Sequence, residues 1–128
     1  MKRDQAIRTL VGIRLGIGVG AWLTPRLAGR LFGLDPTANP QAPYLGRLFG
    51  ARDAALAYGT LMSSGDAQQR WLSIGMACDL ADAAAGVAGG RAGYLPGATT
   101  VLGTGTALAA AALGALALRD RQGAATPA

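Results

Sequence analysis

With 128 residues, the chain has room for one domain and not for a catalytic domain joined to a regulatory one. Only 15% of the residues are charged and 20 are glycine, whereas soluble domains average about 25% charged residues and about 7% glycine, so the composition favours a membrane protein. Histidine is absent and Cys78 is the single cysteine, which excludes a histidine metal ligand or general base, an intrachain disulfide and a Cys-x-x-Cys redox pair.

The formal net charge of +5 comes from basic residues that stand singly or in pairs at the ends of apolar segments. Nucleic-acid-binding domains instead concentrate Lys and Arg on one face. The scattered pattern therefore favours anionic lipid headgroups, and we expect a lipid bilayer as partner and no nucleic acid. We also expect no metal and no cofactor.

The first predicted span covers residues 6–23. Gly12, Gly16 and Gly20 recur at every fourth position and form a helix-packing ridge of small residues. Arg14 lies about 160° around the helix from Gly16 and therefore faces a different neighbour. An arginine within the apolar stretch and the lack of a small-x-small cleavage pattern indicate a retained span and not a signal peptide.

A short helix in the membrane interface is predicted between the first two spans. Thr24 is a candidate N-cap, Pro25 suits the first helical position, and Gly33 suits a left-handed C-terminal end. The helix is amphipathic, as expected of a segment at a lipid surface. A proline-rich loop follows it and leads to the second span.

The second span covers residues 45–61 and carries Arg52 and Asp53 side by side at its centre. A polar hinge at residues 66–70 is expected to lead into the third span, residues 71–88. In the third span four residues are spaced four, three and four apart, and so line one face that should look inward: Gly75, Asp79, Asp82 and Gly86.

A turn at Gly89–Arg91 is expected to precede the fourth span, residues 95–118. Residues 92–118 contain no charge, and about 20 apolar residues suffice to cross the hydrocarbon core. Residues 1–121 thus form one four-span domain, and residues 122–128 are predicted to be a disordered tail. The distribution of Lys and Arg favours cytoplasmic termini.

Five charged residues are expected near the middle of the bilayer: Arg14, Arg52, Asp53, Asp79 and Asp82. Each would cost about 2.5–3.5 kcal/mol if it stood alone, so they must pair or lose their charge. Two arginines and three aspartates leave one negative charge over. Either Arg8 leans in to balance it or one aspartate is protonated.

The cluster permits two interpretations. It is a structural device that locks the register of the first three spans, or its surplus carboxylate, Asp79 or Asp82, is a proton or ligand site. We take the structural interpretation as the prediction and the proton or ligand site as the alternative.

Four segments resemble the uncharacterised four-span integral membrane proteins of high-GC bacteria, which are distantly similar to DoxX/DoxD-type proteins. They are Ile13-Arg14-Leu15-Gly16, the stretch from Pro25 to Gly33, Phe49-Gly50-Ala51-Arg52-Asp53 and Asp79-Leu80-Ala81-Asp82. The resemblance covers nearly the whole chain. It implies a four-helix transmembrane bundle and carries no established substrate or catalytic residue.

The prediction is therefore an all-α protein, a four-helix transmembrane bundle of the cell inner membrane with a short interfacial helix. We expect a structural or protein-interaction role, with self-association through the glycine ridge, and no enzymatic activity. The first alternative is a small transporter or proton-relay component that uses Arg52, Asp53, Asp79 and Asp82. The second is a soluble alanine-rich helical bundle.

Overall fold

The structure is a computed structural model that describes the backbone of residues 1–124 and the side chains of residues 1–119. This part of the chain is helical and contains no strand, which confirms the all-α class. The helices are α1 (Arg3–Leu23), α2 (Pro25–Leu31), α3 (Ala42–Met62), α4 (Gly65–Ala92) and α5 (Gly97–Ala124). Residues 122–124 of the predicted disordered tail, residues 122–128, continue α5. Residues 125–128 lie outside the described residues, and for them the disordered tail stays a prediction.

Pro25 begins α2 and Gly33 ends it with a φ of +83°, as predicted. Thr24 occupies the N-cap position of α2 as predicted, but its side chain makes no capping hydrogen bond there. Its hydroxyl instead donates to the carbonyl of Gly20 at 2.9 Å, and its backbone N–H donates to the same oxygen at 2.8 Å. Thr24 therefore satisfies the C-terminal end of α1, whose last carbonyls have no partner within the helix.

The polar hinge predicted at residues 66–70 is also wrong, because these residues form the start of α4. The chain turns at Ser63 and Ser64. The side-chain nitrogen of Gln68, Nε2, donates to the backbone carbonyls of Thr60 and Ser63, both at 3.1 Å. This side chain binds the free carbonyls at the end of α3, so α4 begins after two residues.

The turn predicted at Gly89–Arg91 is helical as well, and α4 continues to Ala92. Gly93, with a φ of +79°, ends α4 in the left-handed conformation that favours glycine. Gly89 lies against Leu95 and Gly90 against Thr100. The two glycines therefore allow α5 to pack closely on the last turns of α4.

Four helices form a ring in which neighbours run antiparallel. α1 packs against α3 and α5, while α4 packs extensively against α5 and less extensively against α3. α2 lies against α1 and α3. We call the end of the ring at Ser63 and Ser64 the hinge end, and the opposite end, where α2 lies, the α2 end.

Three of the helices are long and apolar enough to cross a membrane: Arg3–Leu23, Gly65–Ala92 and Gly97–Arg119. α3 matches α1 in length, at 21 residues, but carries Arg47, Arg52 and Asp53. The structure therefore confirms three candidate spans. The predicted second span, residues 45–61, stays a prediction.

Close backbone packing relies on glycines at two crossings. A Cβ added to Gly18 would lie 2.9 Å from the carbonyl oxygen of Gly50, where α1 crosses α3. Between α4 and α5, Gly86 faces Thr104. Each of these helix pairs is thus held together by small residues, which permit close approach.

The larger buried apolar side chains all lie in the half of the bundle nearer the hinge end. They are Ile7, Leu10, Val11, Leu56 and Leu72. Arg14, Asp53 and Asp79 lie at the inner boundary of this core, half-way along the helices, and are themselves buried. The charged cluster is therefore sealed on one side by packed hydrocarbon.

Candidate functional site: a buried network of arginines and aspartates

The structure brings together all five charged residues predicted to meet inside the bundle. They form an alternating chain, Asp79–Arg14–Asp53–Arg52–Asp82, which we call the charge network. Arg14 Nη2 lies 2.6 Å from Asp79 Oδ2, and Arg14 Nη1 lies 3.8 Å from Asp53 Oδ1. The carboxylates of Asp79 and Asp53 are thus both within 4.0 Å of the Arg14 guanidinium.

The second arginine completes the chain. Arg52 Nη2 lies 3.2 Å from Asp53 Oδ1 and 2.6 Å from Asp82 Oδ2, while Arg52 Nη1 donates to Asp82 Oδ1 at 2.9 Å. The Arg52–Asp82 contact is therefore bidentate, the geometry in which guanidinium and carboxylate bind most strongly.

Helical geometry explains why neighbours in sequence have different partners. Arg52 and Asp53 diverge by about 100° around α3, so Asp53 points towards α1 and Arg52 towards α4. Asp79 and Asp82 are three residues apart and share a side of α4. One of them consequently meets Arg14 and the other meets Arg52.

Gly75 makes room for Arg14. A Cβ at this position would lie 2.8 Å from Arg14 Nη2 and 3.2 Å from its Cζ. Gly75, Asp79 and Asp82 line the inward face of α4 as predicted, while Gly86, on the same face, contacts Thr104 of α5. One face of α4 thus contacts Arg14 of α1 at Gly75 and Thr104 of α5 at Gly86.

Burial divides the network into two parts. Arg14, Asp53 and Asp79 are only 3%, 6% and 4% exposed. The side chains of Arg52 and Asp82 are 33% and 30% exposed. The guanidinium of Arg52 also lies 4.5 Å from the centre of the Phe49 ring, a cation–π contact.

The network holds one negative charge more than positive charges when all five groups are ionised. Of the two solutions predicted for this imbalance, the first is wrong: Arg8 is exposed and makes no ion pair with any acid among residues 1–119. A protonated aspartate stays a prediction. Two donors, Arg14 Nη1 and Arg52 Nε, are buried without a hydrogen-bond acceptor among the described residues.

The predicted helix-packing ridge lies away from the network. A Cβ added to Gly12, Gly16 or Gly20 would meet nothing within 4 Å. The ridge therefore faces out of the bundle, on the side of α1 opposite Arg14. Within the chain, close packing of α1 instead depends on Gly18.

Sequence reasoning missed Phe49 as the ring beside Arg52 and Gln68 as the cap of α3. Phe49 had a signal, because an aromatic residue three positions before an arginine shares its side of a helix. Gln68 also holds Arg3, which donates to its Oε1 at 2.8 Å. That contact depends on residues 65 positions apart, and no local pattern reports it.

The three carboxylates bind guanidinium groups and not a common point: Arg14 lies between Asp79 and Asp53, and Arg52 lies between Asp53 and Asp82. Among the described residues, no group of three or more Asp, Glu, Cys or His side chains is placed to hold a metal ion. What the arrangement offers chemically is a set of paired charges between three helices.

No protein-family model matches the chain, and no curated protein or solved structure matches it either.

Proposed function

We propose that the chain is a small integral membrane protein in which α3 crosses the bilayer as a fourth helix beside α1, α4 and α5. The observation that carries this proposal is the charge network. Both central charges of α3, Arg52 and Asp53, have opposite charges as partners inside the bundle, which offsets the cost of placing them in hydrocarbon. At about 1.5 Å per residue, a 21-residue helix is long enough to cross.

The third charged residue of α3, Arg47, has its partner outside the charge network. Arg47 lies near the α2 end, where its Nε donates to the carbonyl of Trp22 at 3.1 Å. It thereby binds the C-terminal end of α1, where cations are favoured by the helix dipole. At this position Arg47 lies close to the membrane surface and not at its centre.

The outer surface of the bundle supports the same proposal. Large apolar side chains such as Leu15, Ile74, Leu80 and Leu108 are exposed at the depth of the charge network. Water would disfavour an apolar belt of this kind, whereas lipid accommodates it. The second alternative, a soluble alanine-rich bundle, does not explain why these side chains are exposed.

The proposed role of the protein is a structural or protein-interaction role. Smooth glycine and alanine surfaces specify helix register poorly, and a buried ionic network can supply that specificity. The outward Gly12, Gly16 and Gly20 ridge is the proposed contact with a second copy of the chain. The resemblance to four-span DoxX/DoxD-type proteins points to the same architecture, and we assign no enzymatic activity.

We place the protein in the cytoplasmic membrane with the hinge end, and therefore both termini, in the cytoplasm. The hinge end carries the larger number of basic residues: Lys2, Arg3, Arg70, Arg119 and Arg121, against Arg26, Arg30, Arg47 and Arg91 at the α2 end. Cytoplasmic loops carry the excess of Lys and Arg.

A second candidate function, a transporter or proton-relay component, is favoured by one observation. The network has a surplus carboxylate, and the outer pair, Arg52 and Asp82, is partly exposed. The surplus carboxylate would then be the group that exchanges a proton or binds a ligand.

An alkaline carbonate wash of membranes tests the bilayer placement. We expect the protein to stay in the pellet, as integral proteins do, while a peripheral control protein is released. Release of the protein would overturn the proposal.

A further inference from the structure

One face of α3 is buried only as far as the charge network. Leu56, Arg52, Phe49 and Leu45 are spaced four, three and four apart, so they form one stripe on the side of α3 from which Arg52 reaches Asp82. Leu56, Phe49 and Leu45 are 5%, 38% and 61% exposed, and the Arg52 side chain is 33% exposed. The side of α3 that faces α4 therefore loses its cover from the network onwards, towards the α2 end.

The buried residues of the other helices show the same change. On the α2 side of the network, α1 and α4 bury only glycine and alanine: Gly18, Ala21, Ala83 and Gly89. Gly18 packs within the α1–α3 pair, and Gly89 packs against Leu95, beside the start of α5. Among the described residues, no side chain larger than alanine is buried in this half of the bundle.

The contacts between α3 and α4 also concentrate near the hinge end. There Gly59 lies against the Trp71 ring, and Gln68 binds the carbonyl of Thr60. Towards the α2 end, the Arg52–Asp82 pair is the last hydrogen bond or ion pair between α3 and α4 among the described residues.

We propose that α3 and α4 leave a water-filled crevice between them on the α2 side of the Arg52–Asp82 pair, with Phe49 on its wall, so that Arg52 and Asp82 are hydrated from that side alone. The proposal rests on the membrane-spanning position of α3 proposed above. Water would then solvate the exposed part of the Arg52–Asp82 pair. The charge network would be accessible to water from the α2 end and closed to it from the hinge end.

Arg52 and Asp82 lie near the middle of the proposed membrane span. Arg52 stands half-way along α3, which spans Ala42–Met62, so it lies about 15 Å from either end. Hydrocarbon at that depth offers no hydrogen-bond partner, and ionisable residues within membranes face either the bundle interior or a water-filled cavity. With a third of each side chain uncovered, protein does not complete the solvation of this pair.

The opposite side of the network is closed. Leu10, Leu56 and Leu72, contributed by three different helices, are buried directly on its hinge side. Water entering from the hinge end would have to pass this packed layer. Access is therefore one-sided.

Cysteine accessibility tests the proposal in a Cys78→Ala background. Phe49→Cys places a thiol on the crevice wall, whereas Ala51→Cys places one about 160° away on α3, on the lipid side, at a depth that differs by about 3 Å. A membrane-impermeant, negatively charged methanethiosulfonate reagent is added to right-side-out and to inverted membrane vesicles. Asn39→Cys and Ser64→Cys, both at exposed positions, mark the α2 side and the hinge side.

We expect Phe49→Cys to react at least about 100-fold faster than Ala51→Cys, because the reactive thiolate forms in water and not in hydrocarbon. The reaction should occur only in the vesicles in which Asn39→Cys reacts. Leu45→Cys, one turn nearer the α2 end and away from the network, should give the same sidedness if Phe49→Cys does not fold.

Protection of both crevice thiols together with Ala51→Cys would overturn the crevice and leave the membrane-spanning proposal intact. Reaction of the crevice thiols in both vesicle orientations would overturn one-sided access. Rapid reaction of Ala51→Cys itself would show that α3 does not face lipid, which would overturn the membrane-spanning position of α3 and the crevice with it.

Discussion

Arg14 donates a hydrogen bond to Asp79 at 2.6 Å across the centre of the bundle, although the helices that carry them, α1 and α4, make no backbone contact in the described part of the chain. Long side chains thus join two helices that lie diagonally opposite in the ring. Gly75 leaves the space through which the guanidinium reaches its partner.

Replacing Asp79 with asparagine should strongly destabilise the protein. Breaking a buried ion pair leaves the other charge without compensation and costs about 3–5 kcal/mol. The measurement is the midpoint of thermal unfolding in detergent, followed by size-exclusion chromatography. Asp4→Asn is the matched control, because the Asp4 side chain is 85% exposed, and an equal loss in both variants would contradict a special role for Asp79.

Arg52 and Asp82 should behave as an energetically coupled pair. Arg52→Asp and Asp82→Arg each place like charges together and should lower stability, while the double variant should recover part of the loss. Coupling energies of contacting residues are about 0.5–3 kcal/mol, and a double-mutant cycle measures them. Strict additivity of the two losses would show that the bidentate contact does not contribute to stability.

Two glycine-to-alanine substitutions should have opposite outcomes. Gly75→Ala should displace the Arg14 guanidinium and cost about 1–3 kcal/mol, as overpacking does. Gly12→Ala should raise the unfolding midpoint of the isolated chain, since its new Cβ meets nothing within 4 Å and alanine favours a helix over glycine by about 1 kcal/mol. Equal effects of the two substitutions in thermal unfolding would be inconsistent with the described packing of α1.

The outward glycine ridge should bring two copies of the chain together. Gly16→Cys in a Cys78→Ala background should form a disulfide-linked dimer in membranes under mild oxidation. Ile74→Cys, exposed on α4, is the control and should stay monomeric. A monomer at every concentration of the Gly16→Cys variant would remove the proposed self-association.

The fold class and the members of the charge network were accessible from sequence because both depend on local periodicity. Arg14 interrupts an apolar segment, and Asp79 and Asp82 share a helix face at a spacing of three, so their inward direction follows from helix geometry. Pairing also follows from the cost of a lone charge in a bilayer.

The helix ends and the uneven burial of the network were not accessible in this way. The true turn at Ser63 and Ser64 depends on Gln68 reaching back to α3, and the loss of Arg8 as a counter-charge depends on which side of α1 faces its neighbours. The exposure of Phe49 depends on how α3 packs against its neighbours along its whole length, which no local pattern reports.

The division of the charge network among the helices has a consequence for biosynthesis. α1 and α3 together contribute two arginines and one aspartate, and only α4 adds the two remaining aspartates. If α3 crosses the bilayer as proposed, a nascent chain that has emerged as far as Met62 holds one more positive than negative charge at its centre. We therefore expect insertion of α3 to become more favourable once α4 supplies its two aspartates.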